Sequence, residues 1–375
     1  MSAPARPSGG LGDVVLGESH LSLVAGETGG LVYRGYDIRE LAGRASYEGV
    51  VHLLWHGEAP ATDPPAELAR AIAARRALPD GVVRVVDALA PELPPLEALR
   101  TGLSALGDGT YPYPPTIEQG IDLVARTPTV LARHVRRARG EPPVEPRPAL
   151  GQVANFLWML TGRAPEPERV RALETYFVLL ADHGMNASTF ALRIVISTQS
   201  DLFSAATAAL GALKGPAHGG APARVSAMLD AVGSPERAPD WIRAQLDQKA
   251  RLFGFGHRAY KAEDPRGLLL HDVARRVADP RRLELAEAVE RAGVEELRRR
   301  KPNERLYANV EFYSAVVLEA VGLPPELFTP TFAVARTAGW VAHSLEQAAS
   351  NRLIRPDVRY VGPPPGRRWP NLPAP

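Results

Sequence analysis

The sequence predicts an almost wholly helical protein, and three observations carry that expectation. Apolar residues recur at steps of three and four, as at Val170, Leu173, Phe177 and Leu180, which is the spacing of one helix face. Sustained period-two alternation, the mark of a half-buried strand, is nearly absent. Proline and glycine break the periodic segments at intervals suited to ordinary helices. At 375 residues the chain is long enough for a sizeable core and for two domains.

In chain order, residues 1–12 lack an apolar core and read as a disordered lead-in, not a signal peptide. Residues 14–33 hold short apolar runs broken by Gly26, Gly29 and Gly30, which predicts a small hairpin-like or extended segment. Helix begins after Tyr36. Ser46 opens a run with Val50, Val51, Leu53 and Leu54 on its apolar face, and Gly57 stops it. Helices are expected at 65–78, 82–89 and 96–106, then at 116–139 with an interruption at Pro128. The proline-rich stretch 141–148 forms a surface loop. Helix resumes as far as Leu180 and runs into Asp182-His183-Gly184-Met185-Asn186. Helices at 187–198 and 202–213 lead to the turn Gly215-Pro216-Ala217-His218-Gly219-Gly220. Those at 221–231, 240–252, 265–278, 281–301, 310–321 and 330–349 complete the set, and the proline-rich tail 362–375 reads as extended or disordered.

Composition removes several classes of function. A hydrophobic share of 45% with 23% charged residues suits a soluble globular protein. No apolar run approaches the roughly 18 residues of a membrane span, so a cytoplasmic protein without membrane contact is expected. A net charge of +2 without a dense basic tract argues against nucleic acid. Arg298-Arg299-Arg300-Lys301 reads as a solvated helix end. The absence of cysteine excludes disulfides, thiolate nucleophiles and Cys-type zinc sites.

Chemistry concentrates in Phe253-Gly254-Phe255-Gly256-His257-Arg258-Ala259-Tyr260-Lys261 and the Asp264-Pro265-Arg266 that follows. Two glycines allow a tight turn and close approach to a ligand. Asp264-Pro265 reads as an N-cap with proline at the first helical position, which puts Arg266 in the first turn and His257 in the loop before it. A Gly-rich connection with a solvated basic edge is the competing reading. Gly254 to Ala259 also fits the loose dinucleotide fingerprint, but that fingerprint needs a preceding strand, and 245–252 is polar and helical. His183, His218 and His257 all stand at helix ends or glycine turns, where a neutral imidazole can donate to a developing negative charge or move a proton. The spacing of these three matches no metal-ligand set, so no metal is expected. His52, His56 and His134 fall inside helical patterns, where packed or surface roles are expected.

These segments resemble the citrate synthases. Gly215 to Gly220 resembles that family's GPLHGG turn, and Gly254 to Arg266 resembles its GFGHRVYK–DPR segment almost residue for residue. Asp182 to Phe190 is similar to DH–NASTF, and Arg34-Gly35-Tyr36 to YRGY–I–ELA. Asn351 to Gly362, with Ile354-Arg355-Pro356, resembles NRIIRP–YVG. The five motifs keep the family's order across 12–362.

The resemblance implies an all-α homodimer with a large domain (1–217 and 323–375) and a small domain (218–322) that closes over the site. It implies condensation of acetyl-CoA with oxaloacetate, with no cofactor beyond the CoA thioester substrate. His218 would stabilise the enol and His257 would serve the oxaloacetate carbonyl. His183, Arg266, Arg336 and Arg355 would hold carboxylates, with Arg355 supplied by the partner subunit. Lys261, Arg258 and Arg305 would face the CoA phosphates. Glu311 stands where the family usually has the aspartate that removes the methyl proton, and it reads as the working base. Ala308 and Ala315, in place of proline and glycine, are co-located changes, and Gly184 replaces a glutamate often found there. Two alternatives share these motifs: a 2-methylcitrate synthase using propionyl-CoA, and a catalytically weak CoA- or dicarboxylate-binding paralogue.

Overall fold

The structure, a computed structural model, describes residues 14–107, 109, 112–216 and 218–365. The expected lead-in at 1–12, Ala217 and the tail beyond 365 lie outside the described residues.

β1 (Ser22–Ala25) pairs antiparallel with β2 (Gly30–Tyr33), Ser22 opposite Tyr33, and β2 pairs with β3 (Tyr36–Asp37). The expected hairpin is thus a three-stranded meander. The rest is helical: α1 (Ile38–Leu41), α2 (Tyr47–His56), α3 (Ala66–Ala74), α4 (Asp80–Ala88), α5 (Pro95–Leu106), α6 (Ile117–Ala138), α7 (Gln152–Thr161) and α8 (Pro167–Leu180). After the His183 loop come α9 (Ala187–Ser197), α10 (Leu202–Leu213), α11 (Ala221–Val232), α12 (Ala238–Asp247), α13 (Pro265–Val277), α14 (Pro280–Arg300), α15 (Val310–Ala320) and α16 (Phe328–Ala349).

Local chemistry explains the boundaries. Ser46 caps α2 by accepting from Gly49 N, and Gly57, left-handed at φ 88°, ends it. Asn186, Asp264 and Asn309 cap α9, α13 and α15. Two helices end more than two residues short of expectation. α3 stops at Ala74 because Arg76 turns inward, donating to Gln152 Oε1 and to the carbonyls of Arg147 and Leu150. α12 ends at Asp247, and Lys249 takes a left-handed φ of 57°.

The interruption expected at Pro128 does not occur, for α6 is continuous through it. Proline removes the amide that would bond to the carbonyl of Val124 four residues earlier. Gln152 Nε2, from the start of α7, donates to that carbonyl at 2.8 Å in its place.

α16 is buried from Phe328 through most of its length and packs on α2, α6, α8, α9 and α10. Trp340, Tyr47, Phe156 and Phe177 are among the largest side chains fully enclosed in the core. Gly339 lets α16 approach the end of α8. A Cβ there would meet Ala181 O at 2.3 Å, and Gly339 N donates to that same oxygen at 3.0 Å. This contact sets Arg336, one turn earlier, beneath the His183 loop. Similarly, Gly267 brings the start of α13 against Asn309, at the start of α15.

Candidate active site

His183 meets His257 and Tyr260 although it lies far from both in the chain. The His183 and His257 rings are 5.3 Å apart, edge to face, and His183 Nε2 lies 3.2 Å from Tyr260 Oη. His257 sits in a loop whose glycines, Gly254 and Gly256, have φ of +80° and +75°. That loop is braced by 307–309: Gly256 N donates to Tyr307 O, Asn309 N to Gly254 O and Asn309 Nδ2 to Gly256 O.

Hydrogen bonding selects the tautomer of two imidazoles. The amides of Ala259 and Tyr260 donate to His257 Nδ1 at 3.0 and 3.2 Å. The ring proton of neutral His257 therefore sits on Nε2, which faces Arg266 Nη2 at 3.5 Å. His218 is the mirror case. Its Nε2 accepts from Ser188 N at 3.2 Å and lies 3.0 Å from Ser188 Oγ, leaving the proton on Nδ1. Burial, followed by nearby guanidinium charge (Arg336 at His218, Arg266 at His257), lowers both rings to about 4. His183 is pushed well below the usual imidazole range by burial and then by Arg266. All three rings are neutral at pH 7.

Arg266 is buried and held by Asp264, whose Oδ1 accepts from Nε at 3.0 Å and Oδ2 from Nη2 at 2.8 Å. Sequence reading assigned Asp264 only the cap of α13. Its second role had no signal beyond the short spacing of the two residues. The same Oδ2 accepts from Val310 N at 3.0 Å, so one carboxylate joins Arg266 to the first residue of α15. Arg336 is also buried. Its Nε donates to Leu180 O, and its guanidinium stands 4.6 Å from the Phe332 ring. Among the described residues neither Nη of Arg336 has a hydrogen-bond partner.

Glu311, in the first turn of α15, is partly buried, and among the described residues its carboxylate accepts no hydrogen bond. Desolvation raises it to about 7, opposed by the charges of Arg266 and Arg251. The remaining expected residues stand outside this cluster. Arg355 is exposed in the extended C-terminal segment, and Arg258, Lys261 and Arg305 are exposed. Lys261 approaches Glu27 at 3.8 Å.

Sequence reading also missed the support beneath His183. Asp182 is fully buried and accepts from His343 Nε2 at 3.1 Å, while Arg193 Nε donates to His343 Nδ1 at 3.0 Å. His52 and His56 are spaced as metal ligands often are, with rings 4.4 Å apart. Among the described residues no third ligating group joins them.

Comparison with known proteins gives the family of the chain. The family model described as citrate synthase, C-terminal domain, matches residues 10–357. The chain is 42% identical to the citrate synthase of Haloferax volcanii, over 94% of this chain and 95% of that one. It is 36% identical to the 2-methylcitrate synthase of Mycobacterium tuberculosis, over 94% of this chain and 90% of that one. The crystal structure of citrate synthase from Thermotoga maritima superposes with a TM-score of 0.87 at 36% identity, covering 96% of this chain and 98% of that one. A ternary complex of carboxymethyl coenzyme A and oxaloacetate with the Thermoplasma acidophilum citrate synthase gives 0.87 at 29% identity, covering 96% and 97%. With its ordered motifs on a helical frame and a full-length match, this chain belongs to the citrate synthase family of condensing enzymes.

Proposed function

We propose that the protein condenses acetyl-CoA with oxaloacetate to give citrate and CoA, as a cytoplasmic homodimer that uses no cofactor. Glu311 removes a methyl proton from the thioester, and His218 donates from Nδ1 to the enolate oxygen that forms. The enol carbon attacks the oxaloacetate carbonyl, and the new alkoxide takes its proton from His257 Nε2. Water then cleaves the thioester. His183, Arg266 and Arg336 hold the dicarboxylate, since planar guanidinium forks pair with carboxylates through two parallel bonds. The observation that carries this reading is the pair of opposed tautomers. Two neutral rings carry their proton on opposite nitrogens, Nδ1 in His218 and Nε2 in His257, and a neutral imidazole N–H can donate where oxygen becomes negative.

Arg355 is assigned to the partner's site. It lies on an extended segment with Leu353, Val358, Tyr360 and Val361 all exposed, which suits a surface covered in a dimer. Lys261, Arg258 and Arg305 are assigned to the CoA phosphates on their charge and position.

The test is thiol release from acetyl-CoA with oxaloacetate. Glu311→Gln is expected to lose on the order of 10²–10⁴-fold in kcat while oxaloacetate still binds. Wild type and variant equally inactive, with binding retained, would instead make this a binding protein. The 2-methylcitrate synthase relatives favour a second reading, in which propionyl-CoA is the better thioester. Comparing turnover with the two thioesters decides between them.

A further inference from the structure

The β1–β2 meander is anchored on the His183 side of the site. Ser22 Oγ donates to Asp182 Oδ2 at 2.5 Å and accepts from Gly184 N at 3.0 Å, and Tyr33 Oη donates to Asp182 O at 2.7 Å. The turn joining the two strands reaches the other side. Lys261 N donates to Gly26 O at 2.9 Å. A Cβ on Gly26 would fall 2.0 Å from Ala259 O, and one on Gly29 would fall 2.7 Å from Glu263 O. Two backbones are in direct contact here, with no room for a side chain between them. Gly29 also has a φ of +69°, whereas Gly26 lies outside the left-handed region. At Gly26, therefore, close approach alone demands glycine. The segment under the turn includes Ala259 and Tyr260, the residues whose amides orient the His257 ring.

We propose that the β1–β2 turn is a positioning element for the condensation, with Gly26 and Gly29 seating the 257–263 loop so that His257 stands correctly against the His183 loop. This rests on the reaction proposed above. A methyl group at Gly26 forces the loop backbone to move, because Ala259 O is not the far end of a flexible side chain. A displacement on the order of 1 Å at a reacting group costs about 10²-fold in rate.

The experiment compares wild type, Gly26→Ala and Gly211→Ala by steady-state kinetics, solvent-deuterium exchange into the acetyl methyl group and amide hydrogen exchange. Gly26→Ala is expected to lose about 10²-fold in kcat, with the oxaloacetate KM little changed because Arg266, Arg336 and His183 still hold the dicarboxylate. Methyl exchange, which needs Glu311 and His218, is expected to persist, and the Lys261 amide to exchange faster. Gly211→Ala, in α10 with nothing near the added carbon, is expected to match wild type. A wild-type kcat in Gly26→Ala overturns the inference, as does a parallel loss of kcat and methyl exchange. Should Gly26→Ala not fold, Ser22→Ala releases the anchor without adding bulk. It is expected to lower kcat and keep methyl exchange, and a wild-type kcat there overturns the inference. If the wild type turns over no thioester at all, the proposed function fails separately. The positioning claim then stands or falls on the Lys261 amide, and unchanged protection sinks it.

Discussion

Glu311 is one methylene longer than an aspartate, and its surroundings leave it without a hydrogen-bond donor among the described residues, at about 7. A base must be ionised to act, so kcat/KM is expected to rise with pH to a plateau above about pH 7 in the free enzyme, a limb that Glu311→Gln removes. His218 and His257, at about 4, stay neutral across that range and add no limb near it. Stability runs the other way. A carboxyl raised by folding favours the folded state most below its unfolded value near 4.5. That advantage is lost as pH rises through about 7. Glu311→Gln is therefore expected to melt with wild type at pH 4 and above it at pH 8, by roughly 3 kcal/mol at most, measured by thermal unfolding at the two pH values. His218 and His257 were legible in the sequence because glycine turns announce themselves locally, whereas Glu311 was marked only by the family resemblance. The environment of Glu311 was not legible, because desolvation is set by residues distant in the chain.

At the scale of elements, α6 shows how a local rule is overridden. Pro128 correctly marks a missing hydrogen bond, yet the donor that replaces it is Gln152 at the head of another helix. No periodicity in 116–139 foretells that partner. Gln152 also accepts from the buried Arg76, so it serves two elements at once. Gln152→Leu is expected to cost about 3 kcal/mol in urea unfolding, from a carbonyl and a guanidinium left unsatisfied. In a Pro128→Ala background the amide returns to Val124 O, and the cost of Gln152→Leu is expected to shrink, which a double-mutant cycle measures. Caps behaved more simply. Ser46, Asn186, Asp264 and Asn309 lie beside the helices they start, and the sequence marks those starts within a residue or two.

For the whole molecule, the helical class was readable from spacing alone, but the meeting of His183 and His257 was not, because contacts between distant loops leave no periodic trace. Family motifs supplied that expectation. The assignment of Arg355 to a partner makes a prediction about mixtures. Arg355→Ala and Glu311→Gln proteins, each inactive alone, are expected to regain about a quarter of wild-type activity when their subunits exchange at random in a two-fold dimer. Each heterodimer then holds one site with both lesions and one with neither. No recovery after demonstrated exchange places Arg355 in its own subunit's site.

Asp264 has a consequence for the order of events. Its Oδ2 is shared between the guanidinium of Arg266 and the amide that starts the helix bearing Glu311. On the proposed role of Arg266, a dicarboxylate that draws on it weakens that guanidinium's hold on Asp264, which then bears more strongly on the amide of Val310. On the roles proposed above, the dicarboxylate thus sets the tension on the helix that carries the base.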